Sequence, residues 1–145
     1  TFRYGESRTK TRLQLKMKAK LVSSTQIYTD ARKLLDMILD ITPNFPKAYK
    51  FTIGAKMQEL GVELIQYITA AYMEHDKEKR IEYLTTFQVK FQTLKALIRI
   101  AGERVWIKGR GKQADIIETM DSVGRQSTAW KRSLIAFREM PESGC

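Results

Sequence analysis

Apolar residues recur every three or four positions along most of this chain, which is the spacing of one face of an α-helix. The pattern predicts four helices separated by polar or proline- and glycine-containing connections. The first helix has its apolar stripe at Ile27, Ala31, Leu34, Leu35, Ile38 and Ile41. Ser23, Ser24 or Thr25 can cap its N-terminus, and the prolines at positions 43 and 46 end it because they remove backbone donors.

The second predicted helix begins near Pro46 and runs to about His75. Its apolar stripe consists of Ile53, Met57, Leu60, Leu64, Ile68 and Ala71. Gly54 and Gly61 lie seven residues apart in this helix, and each costs up to about 1 kcal/mol of helix propensity relative to alanine. Their repeat predicts a surface that a neighbouring helix approaches closely.

The third and fourth predicted helices have longer apolar stripes. The third helix has an unbroken heptad pattern at Leu84, Phe87, Phe91, Leu94, Ile98, Ala101 and Val105. Leu97 and Ile100 widen that stripe, which indicates several packing neighbours rather than one. After the glycines at 109 and 111, the fourth helix runs from about Ala114 to Phe137. Its predicted inward side chains are Ile117, Met120, Val123, Ser127, Trp130, Leu134 and Phe137.

Four amphipathic helices joined by short connections predict an all-α fold, an antiparallel up-down-up-down four-helix bundle. We expect residues 21–140 to form this bundle and residues 141–145 to fray as a polar tail. Residues 1–20 form a basic N-terminal arm that we expect to be flexible coil. Leu13, Leu15 and Met17 alternate with polar residues as in a short strand, but such a strand would have no partner in this chain.

Charge is the second informative feature of the sequence. Lysine and arginine number 26 against 16 acidic residues, for a formal net charge of +10. The arm has seven basic residues and one acid, so it carries more than half of the excess. A polyanion is the natural partner of so basic a domain, and we expect a nucleic acid, without a choice between RNA and DNA at this point.

We predict that phosphates are contacted by cations of the arm and of the last two helices. In the arm these are Arg8, Lys10, Arg12, Lys16, Lys18 and Lys20. In the third and fourth helices and the turn between them they are Lys95, Arg99, Arg104, Lys108, Arg110, Lys112, Arg125, Lys131 and Arg132. Arg99 could instead pair with Glu103 one turn later, and Trp106 and Trp130 fit helix packing better than base stacking. Binding should therefore depend on backbone charge and shape.

The sequence offers little for catalysis. The single histidine, His75, has no glutamate three positions before it, so the Glu-x-x-His pairs of di-iron bundles are absent. The pairs Asp36/Asp40 and Glu59/Glu63 fit solvated helix faces, with an acidic strip for a basic partner as the alternative. We expect no enzyme activity, no metal site and no cofactor.

Three further features bear on chemistry and location. The glycine-containing run at 109–112 lacks the serine or threonine of a phosphate-binding NTPase loop, since Gln113 follows it; it is either a helix-ending turn or a phosphate contact. Cys145 is the single cysteine, which excludes a disulfide framework within the chain. No stretch is apolar enough to span a membrane, and we expect a cytoplasmic protein.

Three segments carry a family resemblance: residues 45–54 (FPKAYKFTIG), 94–101 (LKALIRIA) and 123–131 (VGRQSTAWK). In their order and spacing they resemble the four-helix bundle family that includes the accessory variability determinant (Avd) proteins of diversity-generating retroelements and the ribosomal intervening-sequence proteins. The resemblance covers about residues 25–133 and leaves the arm outside.

The resemblance implies a homopentamer of bundles that associates with a retroelement reverse transcriptase and template RNA, and supports mutagenic cDNA synthesis without being catalytic. Two alternatives stay open at this point. One is a stand-alone RNA-binding bundle of the ribosomal intervening-sequence type. The other is a structural scaffold whose charge only keeps it in solution.

Overall fold

A computed structural model describes residues 25–139 of the chain and, before them, Arg12 alone; side chains are described as far as Ala136. The predictions for the rest of residues 1–24 and for residues 140–145 therefore lie outside the described residues. Arg12 has helical backbone geometry and an exposed side chain. The prediction of a flexible coil arm is not tested by this one residue and stays a prediction.

Four α-helices account for most of the described chain: α1 (Gln26–Ile41), α2 (Ala55–Met73), α3 (Lys77–Glu103) and α4 (Lys112–Glu139). Residues 25–139 contain no β-strand. The predicted all-α, four-helix class is confirmed. Apart from the start of α2, the helix ends lie within about five residues of those that the apolar pattern predicts.

The capped N-terminus of α1 agrees with the sequence. Thr25 has extended backbone geometry, and its hydroxyl accepts a hydrogen bond from the backbone N–H of Tyr28 at 3.4 Å. This contact satisfies one of the donors that the first turn leaves unpaired. At the other end, α1 passes into a 3₁₀ turn, Thr42–Asn44. The buried hydroxyl of Thr42 accepts a 2.7 Å hydrogen bond from Gln58 Nε2, which ties the connection to α2.

The start of the second helix differs from the prediction of one continuous α-helix. A single α-helical turn, Lys47–Tyr49, is followed by a π-helical segment, Lys50–Gly54, before α2 begins. A π-turn contains one residue more per hydrogen-bonded ring than an α-turn, so it shifts the faces of the residues before it relative to those after it. Apolar periodicity gives no signal for such an insertion.

Each helix packs against two others, in the order α1–α2–α3–α4 and back to α1. Between α2 and α3, Glu63 lies beside Lys90, whereas Tyr67, one turn further along α2, lies beside Tyr83, about two turns earlier in α3. Such pairs, rising along one helix and falling along the next, are typical of antiparallel packing. They agree with the up-down-up-down order, which stays a prediction.

The core runs through the middle of the bundle, and the predicted close approach occurs at Gly61. Its largest fully buried side chains are Phe87, Leu34, Ile38, Ile41, Met57, Leu64, Ile68, Leu84, Leu94, Ile116 and Val123. A Cβ atom on Gly61 would lie only 2.9 Å from Leu35 Cδ1 of α1. At Gly54 the nearest neighbour would be Thr42 at 3.5 Å, an ordinary contact with the connection rather than with a helix.

Two predicted core positions are wrong. Val105 is 69% exposed because α3 ends before it. Ile117 is 46% exposed and Ile116 is buried in its place. Positions 116 and 117 both lie a helical step from Met120, so spacing alone does not choose between them. The Phe137 side chain lies outside the described residues.

The chain reverses after α3 through a Schellman motif with an unusual residue. The N–H of Trp106 donates to the Ala101 carbonyl at 2.9 Å, and that of Val105 to the Gly102 carbonyl at 3.1 Å. Val105 thereby takes the left-handed position, with a φ of 60°, where glycine is the usual residue. For a β-branched residue this conformation costs about 1–2 kcal/mol. The motif returns Trp106 to the core.

Candidate nucleic-acid interface

An open groove of about 1040 Å³ runs along the surface between α3 and α4. We call it the α3–α4 groove. Small residues of α4 form one side, among them Gly124, Ser127 and Ala129. A Cβ atom on Gly124 would lie 3.2 Å from the ring of Phe91, so this ring packs directly against the backbone of α4. The small residues at these three positions of α4 leave room for the groove between the larger side chains that also line it.

Three of the predicted cations line this groove: Lys95 from α3, and Arg125 and Arg132 from α4. All three side chains are exposed. Arg125 and Arg132 are seven residues apart, so they lie on the same face of α4. Asp121 also lines the groove. Within the described part of the chain, no ion pair joins it to any of the three cations.

The groove is continued by a smaller recess of about 190 Å³ that shares Lys95, Met120 and Asp121 with it. Arg99 and Glu103 both line this recess. No ion pair between Arg99 and Glu103 is found among the described residues, so the alternative in which this acid neutralises Arg99 is not supported. The structure therefore brings four predicted cations to one continuous surface, which we call the groove cations: Lys95, Arg99, Arg125 and Arg132.

Lys131 differs from its neighbour Arg132. Its side chain is half-buried, and its Nζ donates to Gln88 Oε1 of α3 at 3.2 Å. This hydrogen bond joins α3 and α4 across one side of the groove. The contact of Lys131 with phosphate stays a prediction, and the observed role of this side chain is to link the two helices.

Three further predicted cations lie at the turn between α3 and α4 or at the first residue of α4. Lys108, Arg110 and Lys112 are exposed there. Gly109 and Gly111 have φ values of 108° and 78°, which L-residues rarely adopt, so both glycines are needed for the chain to reverse. The run is a turn, but it lies before α4 rather than at the end of α3, which already ends at Glu103; its contact with phosphate stays a prediction.

Arg104 is exposed and lies beside two aromatic rings. Its guanidinium carbon is 5.6 Å from the ring centre of Tyr49 and 5.5 Å from that of Trp106. Those two rings stack on each other at 4.7 Å, and Trp106 is buried. Trp106 thus packs in the fold, as predicted, and so does the half-buried Trp130. Of the six predicted cations of the arm, Arg12 is exposed and the others lie outside the described residues.

Lys90, another cation of α3, is neutralised by an acidic neighbour on α2. Lys90 Nζ lies 2.7 Å from Glu63 Oε2 of α2 and 5.9 Å from the ring centre of Tyr67. The hydrogen bond from Lys90 lowers the pKa of Glu63, against the opposing effect of burial. The same bond raises the pKa of Lys90. The ion pair of Lys90 therefore links α3 to α2.

A second polar contact joins α1 to α4. Asp30 accepts hydrogen bonds from Ser122 Oγ at 2.9 Å, from Gln126 Nε2 at 2.7 Å and from Gln26 Nε2 at 2.8 Å. We call this the Asp30 cluster. Burial acts to raise the pKa of Asp30, but the three hydrogen bonds and the charge of Lys33 together lower it.

The sequence prediction missed the uncharged polar residues of the groove. Thr85, Gln88 and Gln92 of α3 line it together with Lys95. Their amide and hydroxyl groups can bond to phosphate and sugar oxygens, as such groups do in many nucleic-acid complexes. A signal for them was present, because positions 85, 88, 92 and 95 follow steps of three and four, and so form one polar stripe on α3.

Among the described residues, no group of three or more histidine, cysteine or acidic side chains is placed to hold a metal ion. In the same part of the chain, none of the helices combines the length and the apolar character needed to cross a membrane. The arrangement can bind a polyanion through the exposed charge of the groove cations and the polar groups between them.

A family model described as bAvd-like matches residues 21–134, which include α1 to α3 and most of α4. No curated protein matches the chain.

Proposed function

The chain belongs to the bAvd-like family, and we propose that it is a non-catalytic accessory factor of a diversity-generating retroelement. In this proposal it binds the reverse transcriptase of the element and its template RNA or cDNA, and thereby supports mutagenic retrohoming. It acts in the cytoplasm, as a homo-oligomer for which the family resemblance suggests five copies. The bundle provides surfaces for assembly and binding, and the chemistry belongs to the reverse transcriptase.

The α3–α4 groove is the observation that carries the nucleic-acid part of the proposal. Its four groove cations come from two helices that are separate in sequence and adjacent in space. Exposed cations along an open groove attract a polyanion and release its counterions on binding. Polar side chains between the cations supply hydrogen bonds without reading base identity. This favours a binding factor over a scaffold whose charge only keeps it in solution.

A salt titration tests nucleic-acid binding. The retained fraction of labelled template RNA is measured by filter binding at several salt concentrations with the full-length chain. Four phosphate contacts per chain would lower the affinity about 100-fold between roughly 50 and 200 mM salt. A salt-independent or undetectable retention would contradict this part of the proposal and favour the scaffold.

Co-purification tests the protein partner. The tagged chain is co-expressed with the reverse transcriptase encoded beside its gene, with and without the template RNA. We expect the two proteins to co-elute at a defined ratio, and the mass of the purified chain to report its copy number. A gene located within or beside ribosomal RNA, with no reverse transcriptase nearby, would instead favour the ribosomal intervening-sequence alternative.

A further inference from the structure

One end of the bundle has a composition that the α3–α4 groove does not share. It is formed by residues 45–54, between α1 and α2, and by residues 104–112, between α3 and α4; we call it the aromatic end. The stack of Tyr49 on Trp106 joins the two segments, and the ring of Phe45 lies 5.2 Å from that of Trp106. The two connections therefore form one surface.

Phe51 is the most exposed large hydrophobic side chain among the described residues, at 73%. It belongs to the π-helical segment Lys50–Gly54, and Lys50 Nζ lies 5.6 Å from its ring centre. Turns of this kind are frequent at functional sites. Because Phe51 is not needed to fill the core, its ring remains available to a partner.

The backbone of the second segment is also unusual. Val105 has a left-handed conformation that glycine would adopt without strain, and its side chain is 69% exposed. Strained residues of this type cluster at binding and catalytic sites. The two unusual backbone segments thus lie at the same end of the bundle, each next in sequence to one ring of the Tyr49–Trp106 stack.

The charge of the aromatic end has one sign. Residues 41–58 and 104–114 contain no aspartate or glutamate. The cations of these segments at the aromatic end are Lys47, Lys50, Arg104, Lys108, Arg110 and Lys112. Exposed aromatic rings beside cations, without acids, match the chemistry of an unpaired nucleic-acid strand: bases stack on rings, and phosphates bind the cations.

We propose that the aromatic end binds an unpaired segment of nucleic acid, with a base stacked on Phe51 and phosphates held by the cations of the two connections. This rests on the nucleic-acid binding proposed above and makes it more specific. The α3–α4 groove then holds the backbone by charge, whereas the aromatic end distinguishes single strands from duplexes. Lys50, which lies over the Phe51 ring in the free protein, becomes a phosphate contact when a base takes its place.

The test compares single-stranded RNA with a duplex of the same length. Fluorescence anisotropy measures the affinity of the full chain and of Phe51→Leu, which keeps an apolar side chain but removes the ring. Stacking on one base accounts for roughly a fivefold to hundredfold difference in affinity. We therefore expect Phe51→Leu to weaken single-strand binding by at least about fivefold and to change duplex binding less than about twofold.

Two variants serve as controls. Phe51→Tyr retains an aromatic ring and should bind single strands as the unmodified chain does. Val62→Ala alters an exposed apolar side chain of α2, 54% exposed, outside the aromatic end and should change neither affinity. A 2-aminopurine base in the oligonucleotide reports stacking directly, since its fluorescence should fall on binding to the unmodified chain and fall less with Phe51→Leu. Far-UV circular dichroism checks that each variant folds.

The outcomes separate this proposal from the one on which it rests. If the unmodified chain binds neither RNA, both proposals are wrong. If it binds RNA and Phe51→Leu has no effect, or weakens single-strand and duplex binding equally, the base-stacking site alone is wrong. If Phe51→Leu leaves RNA binding unchanged but abolishes co-elution with the reverse transcriptase, the aromatic end is a protein-docking surface and the stacking proposal is overturned.

Discussion

The interface between α2 and α3 and the groove between α3 and α4 use the same helix in opposite ways. On one side of α3, Lys90 pairs with Glu63 and packs near Tyr67. On the other side, Lys95 lines an open groove with Arg125 and Arg132 and pairs with no acid among the described residues. One lysine stabilises the fold, and the other is available to bind a partner.

The comparison shows why net charge is a poor measure of binding capacity. A formal charge of +10 includes cations whose field is largely cancelled by a neighbouring carboxylate. What a polyanion encounters is the set of exposed cations without such a neighbour. In the bundle many of these lie in the α3–α4 groove and at the aromatic end. Variants on each side of α3 can test whether one side serves binding and the other serves stability.

The largest effect should come from reversing the charge of the groove. In the triple variant Lys95→Glu, Arg125→Glu and Arg132→Glu, three phosphate contacts are lost and three repulsive charges are added. We expect RNA affinity to fall by about 100-fold or more at low salt, and the slope of log affinity against log salt to decrease by about 2–3. Filter binding over a range of salt concentrations measures both.

A matched reversal on α1 and α2 provides the control. Arg32→Glu, Lys33→Glu and Lys56→Glu change the net charge by the same amount outside the groove. This variant should lose affinity only through the long-range field, so that its salt slope stays close to that of the unmodified chain. Equal losses for the two triple variants would show that the groove is not the binding surface.

The next largest effect concerns stability and should occur on the other side of α3. Lys90→Ala leaves the buried Oε2 atom of Glu63 without its cation, so we expect Tm to fall by roughly 3–5 °C. Lys95→Ala removes an exposed side chain and should change Tm by no more than about 1 °C. Thermal unfolding by circular dichroism measures both variants. A similar decrease in Tm for Lys90→Ala and Lys95→Ala would contradict the proposal that Lys90 stabilises the fold and Lys95 does not.

A smaller effect should follow from pH. The pKa of Glu63 is lowered in the fold, chiefly by the hydrogen bond from Lys90. Its contribution to stability is therefore complete above the pKa of an unfolded glutamate, about 4.3, and is lost as the pH falls through the lower folded value. Glu63→Gln should unfold with a weaker dependence on pH between about 5 and 3 than the unmodified chain. Urea titrations at several pH values test this, and an unchanged dependence would contradict it.

The smallest effect should come from the turn that ends α3. Val105→Gly removes the cost of a left-handed β-branched residue but increases the freedom of the unfolded chain, and little packing is lost because the side chain is exposed. We expect a net stabilisation of about 0.5–1 kcal/mol by urea unfolding. With RNA binding measured in parallel, this variant shows whether the strain serves recognition. A loss of stability would mean that Val105 makes contacts that its exposure does not reveal.

Much of the fold could be predicted from the sequence because helix packing repeats a local pattern. The α1 stripe, the Thr25 cap and the close approach at Gly61 all follow from residue type and spacing. The errors occur where the apolar spacing of the sequence continues although the backbone conformation changes. Val105 keeps the heptad register although α3 has ended. The π-helical segment before α2 has no counterpart in apolar periodicity at all.

The candidate site was less predictable because it depends on which helices are neighbours. Lys90 and Lys95 are both lysines between apolar positions of α3, and residue type does not tell their roles apart. The pairing of Lys90 depends on its tertiary neighbour Glu63 on α2. The grouping of Lys95 with Arg125 and Arg132 likewise requires α3 and α4 to be adjacent, which one-dimensional spacing does not specify.

The Asp30 cluster has a consequence for the order in which the bundle forms. Its hydrogen bonds connect Asp30 to Ser122, which lies 92 positions later in the chain, and to Gln126, which lies 96 positions later. Consecutive helices, by contrast, are joined by short connections. Closing so long a loop carries the greater entropic cost, so contacts of this kind tend to form after the local ones. We therefore expect the Asp30 cluster to form late in folding, when the first helix packs against the last. Removing its carboxylate should accelerate unfolding more than it slows folding.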